Sequence, residues 1–74
     1  MNIIVTFKSR NQAMLFSSLL TQSRVPNKVI NTPRNLSASC GLSVKLSKAH
    51  EIIARRLLSE HNFDSLGGIY VVNV

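Results

Sequence analysis

The chain has 74 residues, a hydrophobic fraction of 45% and a formal net charge of +6. That length supports a single domain over residues 1–74 with a modest core, and the apolar content with only two prolines excludes a disordered chain. One cysteine excludes an intramolecular disulfide, one Cys with two His is too poor a set for a tetrahedral zinc site, and no apolar run approaches the roughly 20 residues of a membrane span.

The first residues, Met1-Asn2-Ile3-Ile4-Val5-Thr6-Phe7-Lys8, lack the basic, long apolar and small-residue regions of a secretory signal. An unpaired thiol suits a reducing compartment, so the expected location is the cytoplasm. Charge is unevenly placed. Lys8, Arg10, Arg24, Lys28, Arg34, Lys45 and Lys48 occur before any acid, and Glu51, Glu60 and Asp64 all come later. Such a field favours an anionic partner, whether nucleic acid, an acidic protein or a small oxyanion; a solvated basic surface is the plainer alternative.

Ile3 to Phe7 is rich in β-branched residues and reads as a first strand, with Ile3, Val5 and Phe7 on one face. Ser9 then suits a helix N-cap, and Gln12 three residues on completes a capping-box pattern. The spacing of Ala13, Phe16, Leu19 and Leu20 predicts a helix to about Gln22, stopped by Val25-Pro26-Asn27. Lys28 to Thr32 predicts a second strand ended by Pro33, and the alternation of Leu42 to Ser47 predicts a third. Ser47 is the expected cap of a second helix running to about Glu60. Ala49, Ile52, Ile53, Leu57 and Leu58 form its inner stripe, with Glu51–Arg55 and Arg56–Glu60 pairs outside. Gly67-Gly68 reads as a turn before a last strand at Ile69 to Val74.

The order β-α-β-β-α-β predicts an α+β, ferredoxin-like fold: a four-stranded antiparallel sheet with two helices on one face. The pattern leaves open which face of the last strand is buried. If Tyr70, Val72 and Val74 face away from the helices, an apolar patch stays uncovered and a homodimer through the open sheet face becomes reasonable.

In this topology the first and second strands are parallel, so the loops that follow them emerge at one end, beside the start of the first helix. That end gathers Lys8, Ser9, Arg10 and Arg34 with Ser37, Ser39, Cys40 and Gly41. A thiol beside a helix N-terminus and basic side chains has a lowered pKa and a larger fraction of reactive thiolate. Gly41 permits close backbone approach, and Ser37 and Ser39 offer hydrogen bonds to a sulfur anion. Cys40 also reads as a small buried hydrophobe at the start of a strand, because free cysteine is among the most buried residue types.

Other chemistry is poorly represented. His50 and His61 are too far apart in sequence to converge on one metal without further ligands, and Ser9 suits a cap better than a nucleophile. No catalytic triad, phosphate loop or paired-carboxylate constellation is present, and no cofactor or metal is expected. Sheets of this type bind RNA by stacking bases on aromatic side chains, whereas Ser43 and Lys45 occupy the corresponding strand here. Nucleic acid is therefore disfavoured.

Val5-Thr6-Phe7-Lys8-Ser9, Thr32-Pro33-Arg34, Ser37-Ala38-Ser39-Cys40-Gly41-Leu42 and Gly68-Ile69-Tyr70 together resemble a small bacterial family, the selenium/sulfur carrier protein-like proteins. The most specific part is the string from Pro33 to Gly41, in which Arg34, Ser37, Cys40 and Gly41 match directly. The resemblance implies that Cys40 carries sulfur or selenium as a persulfide or selenosulfide, between donor and acceptor proteins. The chain departs from its relatives at Asn35, where they often have an acid, and at Asn11, where many have histidine. Loss of that histidine removes a possible general base near the thiol, so a non-enzymatic carrier or binding protein is expected over a catalyst, with enzymatic activity left open. A regulatory or protein-interaction module with a structural cysteine is the alternative, and a basic nucleic-acid-binding domain comes third.

Overall fold

The computed structural model describes residues 1–35 and 41–73. Four strands, β1 (Asn2–Phe7), β2 (Asn27–Asn31), β3 (Leu42–Ser47) and β4 (Leu66–Val72), form one sheet in the order β2-β3-β1-β4. Helix α1 (Arg10–Gln22) follows β1; a 3-10 turn at Lys48–His50 and helix α2 (Glu51–Glu60) follow β3. All neighbouring strands are antiparallel, so β1 and β2 run the same way. This is the ferredoxin-like α+β arrangement expected from the element order.

Strand alternation decides the two faces. Ile3, Val5 and Phe7 lie opposite Leu46, Val44 and Leu42 on β3, and these six pack with Ala13, Phe16 and Leu20 of α1 and Ala54 and Leu57 of α2. Both helices therefore cover the same side of the sheet. The rings of Phe7, Phe16 and Phe63 meet pairwise with centroids 5.4–5.7 Å apart. They join β1, α1 and the segment after α2 in an otherwise aliphatic core.

On β4, Ile69 and Val71 pair with Val5 and Ile3 and share the helix side. Tyr70 and Val72 therefore sit on the open face, beside Ile4 and Asn2; Val74 lies outside the described residues. Lys28 and Lys45 are direct cross-strand neighbours on that same face, and Ile30 pairs with Ser43 there. No acidic side chain shares the face, since Glu51 and Glu60 belong to α2 and Asp64 to the segment before β4.

Several local expectations are corrected. Gly67 and Gly68 are not a turn but part of β4. Thr6 pairs with Gly68 and Phe7 with Leu66, leaving Gly67 as the extra residue of a bulge. A Cβ on Gly67 would come within 2.6 Å of the Thr6 hydroxyl, which explains why glycine serves there. Helix α1 ends at Gln22 as its spacing predicts, but the stop is made by the chain ahead of Pro26. Arg24 adopts φ 63°, and the amides of Arg24 and Val25 donate to the carbonyls of Thr21 and Leu20. That pattern is a Schellman termination, with Val25 folding back beside Leu20 in the core.

A side chain in the left-handed region is strained, and glycine avoids that strain. Arg24→Gly is expected to raise stability by about 0.5–1 kcal/mol, after allowing for the added freedom of the unfolded chain. An unchanged or lower urea midpoint would contradict this reading of the helix end.

Ser47 caps the 3-10 turn, accepting from the Ala49 amide at 3.2 Å, and α2 proper starts four residues later. Consequently Ala54 and Leu57 face the core, while Ile52 is 79% exposed and Ala49 is exposed as well. Glu51 pairs with Arg55 at 2.8 Å and with Lys48 at 3.2 Å; the expected Arg56–Glu60 pair is absent from the described ion pairs. Hydrogen bonds from Arg55, then from Lys48, hold the Glu51 carboxyl below its ordinary pKa.

Candidate functional site

The parallel run of β1 and β2 brings their C-terminal ends to one edge of the domain. Lys8 leaves β1, with its amide donating to the Ser65 carbonyl at 2.9 Å. Ser9 is extended (φ −92°, ψ 124°) and its hydroxyl accepts from the Gln12 amide at 3.3 Å, so α1 starts at Arg10. The second half of the expected capping box is not made. Instead the Gln12 side chain reaches the α2–β4 connection. Its Nε2 donates to Asp64 at 2.6 Å, and its Oε1 accepts from the amide and hydroxyl of Ser65. This clamp anchors the first turns of α1 to the chain that enters β4.

The other wall comes from the β2–β3 connection. Asn31 pairs with Leu42, and the Thr32 amide donates to the Gly41 carbonyl at 3.3 Å, closing the base of the loop. The hydroxyls of Thr32 and Ser43 lie 2.7 Å apart, and Ser43 is fully buried. Gly41 is the point where the two walls touch. A Cβ added there would be driven into the Phe7 carbonyl oxygen and would lie 3.6 Å from Lys8 Cα. Position 41 therefore requires the absence of a side chain.

Between these walls is a cavity of about 270 Å³ lined by Lys8, Arg10, Asn31, Gly41 and Leu42. Among the described residues the ion pairs all involve Glu51 on α2, so neither Lys8 nor Arg10 is matched by a carboxylate. Of the residues singled out from sequence, Lys8, Arg10 and Gly41 thus meet at one cavity. Ser9 stands behind them as a cap, and Arg34 occupies an exposed turn without lining the cavity. Cys40, Ser37 and Ser39 lie outside the described residues.

Asn31 and Leu42 were not anticipated as lining residues. Only the register that pairs them brings them to this end, and neither type signals chemistry by itself. His61 caps the C-terminus of α2 and lies against Phe63, with ring centroids 6.2 Å apart.

The molecule is thus a small ferredoxin-like α+β domain with a basic cavity at one end of its sheet, bordered by the glycine that follows its single cysteine. Residues 2–70 match the family described as "Putative Se/S carrier protein-like", and the chain belongs to that family. No curated protein and no solved structure matches it. No helix among the described residues is long and apolar enough to cross a membrane.

Proposed function

We propose that this protein is a sulfur or selenium carrier that holds the atom on Cys40 as a persulfide or selenosulfide. The observation that carries the reading is family membership over residues 2–70, combined with a single cysteine in the chain. Transfer needs no resident cofactor. The Cys40 thiolate attacks the terminal sulfur of a donor persulfide, the donor S–S bond breaks, and the donor thiolate leaves with the electron pair. The reverse exchange passes the atom to an acceptor thiolate. Supporting this, the glycine bonded to Cys40 borders a cavity beside the first turn of α1 whose two cations are unmatched among the described residues, and positive charge near a thiol favours thiolate.

Donor and acceptor proteins are the partners in this reading, and the cytoplasm is its reducing setting. A homodimer through the open sheet face would bury Tyr70 and Val72, but it would also bury the Lys28–Lys45 pair with no carboxylate from the same face to match it. The working unit in this proposal is therefore the monomer. RNA stacking gains no support either, because the three phenylalanines are core residues and Tyr70 is the single aromatic on the open face.

Alkylation kinetics test the reading. Cys40 in the folded protein should react with iodoacetamide at neutral pH about as fast as, or faster than, an unfolded control. Reaction seen only in denaturant would instead assign Cys40 to the core and favour the interaction-module alternative.

A further inference from the structure

We infer that the cavity lined by Lys8, Arg10, Asn31, Gly41 and Leu42 is a subsite for a small oxyanion that bears a transferable chalcogen atom, the thiosulfonate class. The inference rests on the carrier reading for the role of the ligand, but on the cavity itself for the binding. Two cations and one asparagine border the space, and among the described residues no acid does. Neither cation has a carboxylate partner among the described residues, so an incoming anion displaces no existing ion pair.

Size narrows the ligand. A space of about 270 Å³ lies below the roughly 300–1,000 Å³ of pockets for drug-sized ligands and cofactors. It is nonetheless large enough for several waters at about 30 Å³ each, and so for a tetrahedral oxyanion with part of its hydration. Its rigidity also follows from the fold. The Lys8 backbone is fixed by its amide's bond to the Ser65 carbonyl, Arg10 begins a helix clamped through Gln12, and Gly41 is wedged against the Phe7 carbonyl, so the main-chain frame is fixed while the two basic side chains are exposed. Guanidinium and ammonium groups carried on such a frame suit the spread charge of a sulfonate end.

The chemistry that follows is balanced. With thiosulfate, the Cys40 thiolate attacks the outer sulfur, the S–S bond breaks, and its electron pair departs with sulfite. Cys40 gains the sulfur as a persulfide, and no separate oxidant or reductant is consumed.

The test is a two-dimensional amide NMR titration of Cys40→Ser with sodium thiosulfate, against sodium chloride at equal ionic strength. That variant cannot accept sulfur, so binding is read apart from transfer. The expected result is saturable shifts centred on Lys8, Ser9, Arg10, Asn31, Gly41 and Leu42. Binding should weaken by about tenfold or more in Cys40→Ser carrying Lys8→Ala and Arg10→Ala, as expected for loss of charged hydrogen bonds. Non-saturating shifts spread over Lys28, Lys45 and Arg55 as in chloride, or equal binding after removal of both cations, would overturn the subsite. Because a persulfide donor charges the wild type independently of this cavity, failure of the subsite and failure of the carrier reading give different results.

Discussion

Phe16→Ala should leave the domain largely unfolded or close to it, with a loss of about 3–5 kcal/mol. Phe16 is fully buried, and its ring touches Phe7 at 5.5 Å and Phe63 at 5.7 Å between centroids. It therefore ties α1 to β1 and to the segment that enters β4, the three pieces that frame the Lys8–Arg10 wall of the cavity. At roughly 0.05–0.15 kcal/mol per residue, a domain of this size holds only about 4–11 kcal/mol in total. Removing the Phe16 ring takes away two of the three sides of the aromatic triangle and leaves the Phe7–Phe63 contact, 5.4 Å between centroids, beside the hole. Urea denaturation followed by far-ultraviolet circular dichroism checks this. A midpoint close to that of the wild type would show that the aromatic triangle is not the keystone of the core.

Gly41→Ala should cost about 1–3 kcal/mol or more, the usual range for forcing an atom into filled space. The obstacle is the carbonyl oxygen of Phe7, a backbone atom at the end of one of the two inner strands of the sheet, and it cannot swing away as a side chain can. Either the β1–α1 junction moves or the β2–β3 loop lifts off it, and both routes separate position 41 from Lys8. Gly67→Ala offers the comparison. There the nearest atom is the Thr6 hydroxyl, a side-chain atom whose displacement breaks one 3.4 Å bond to the Gly68 carbonyl and leaves the backbone in place, so the cost should be smaller. The same denaturation experiment ranks the two variants, and equal or reversed losses would contradict the assigned contact. A Gly41→Ala protein that still folds should also show altered Cys40 alkylation, because the loop anchor is displaced.

Much of the fold was legible in the sequence because its signals are local. Alternation in β1 and β3, and the Ser9 cap with Ala13, Phe16 and Leu20 behind it, depend on neighbours within a few residues. The misreadings have non-local or phase-dependent causes. Gly67 and Gly68 look like a turn until β1 is present to pair with them, and only that pairing makes Gly67 a bulge. In the α2 stripe Leu57 is buried and Ile53 and Leu58 pack against the core as expected, but the 3-10 turn at Lys48–His50 winds three residues per turn and shifts the phase, turning Ile52 outward and Ala54 inward. The left-handed Arg24 has no sequence signal, since glycine is the usual occupant of such a position.

At the candidate site, the meeting of Lys8, Arg10 and Gly41 followed from the parallel run of β1 and β2. Asn31 and Leu42 did not, because they depend on register. The long-range clamp through Gln12 also escaped notice, since its partners Asp64 and Ser65 lie more than fifty residues away in the chain. Which face Tyr70 occupies was settled by the Ile4–Tyr70 pairing, which no single-strand pattern contains.

The most direct measurement is the intact mass of the reduced protein after anaerobic exposure to a persulfide donor and removal of excess reagent. Wild type should gain one sulfur atom, lose it on treatment with dithiothreitol, and Cys40→Ser should gain none. Folded wild-type protein that gains no sulfur, or a gain retained in Cys40→Ser, would contradict the assignment of Cys40 as the carrier.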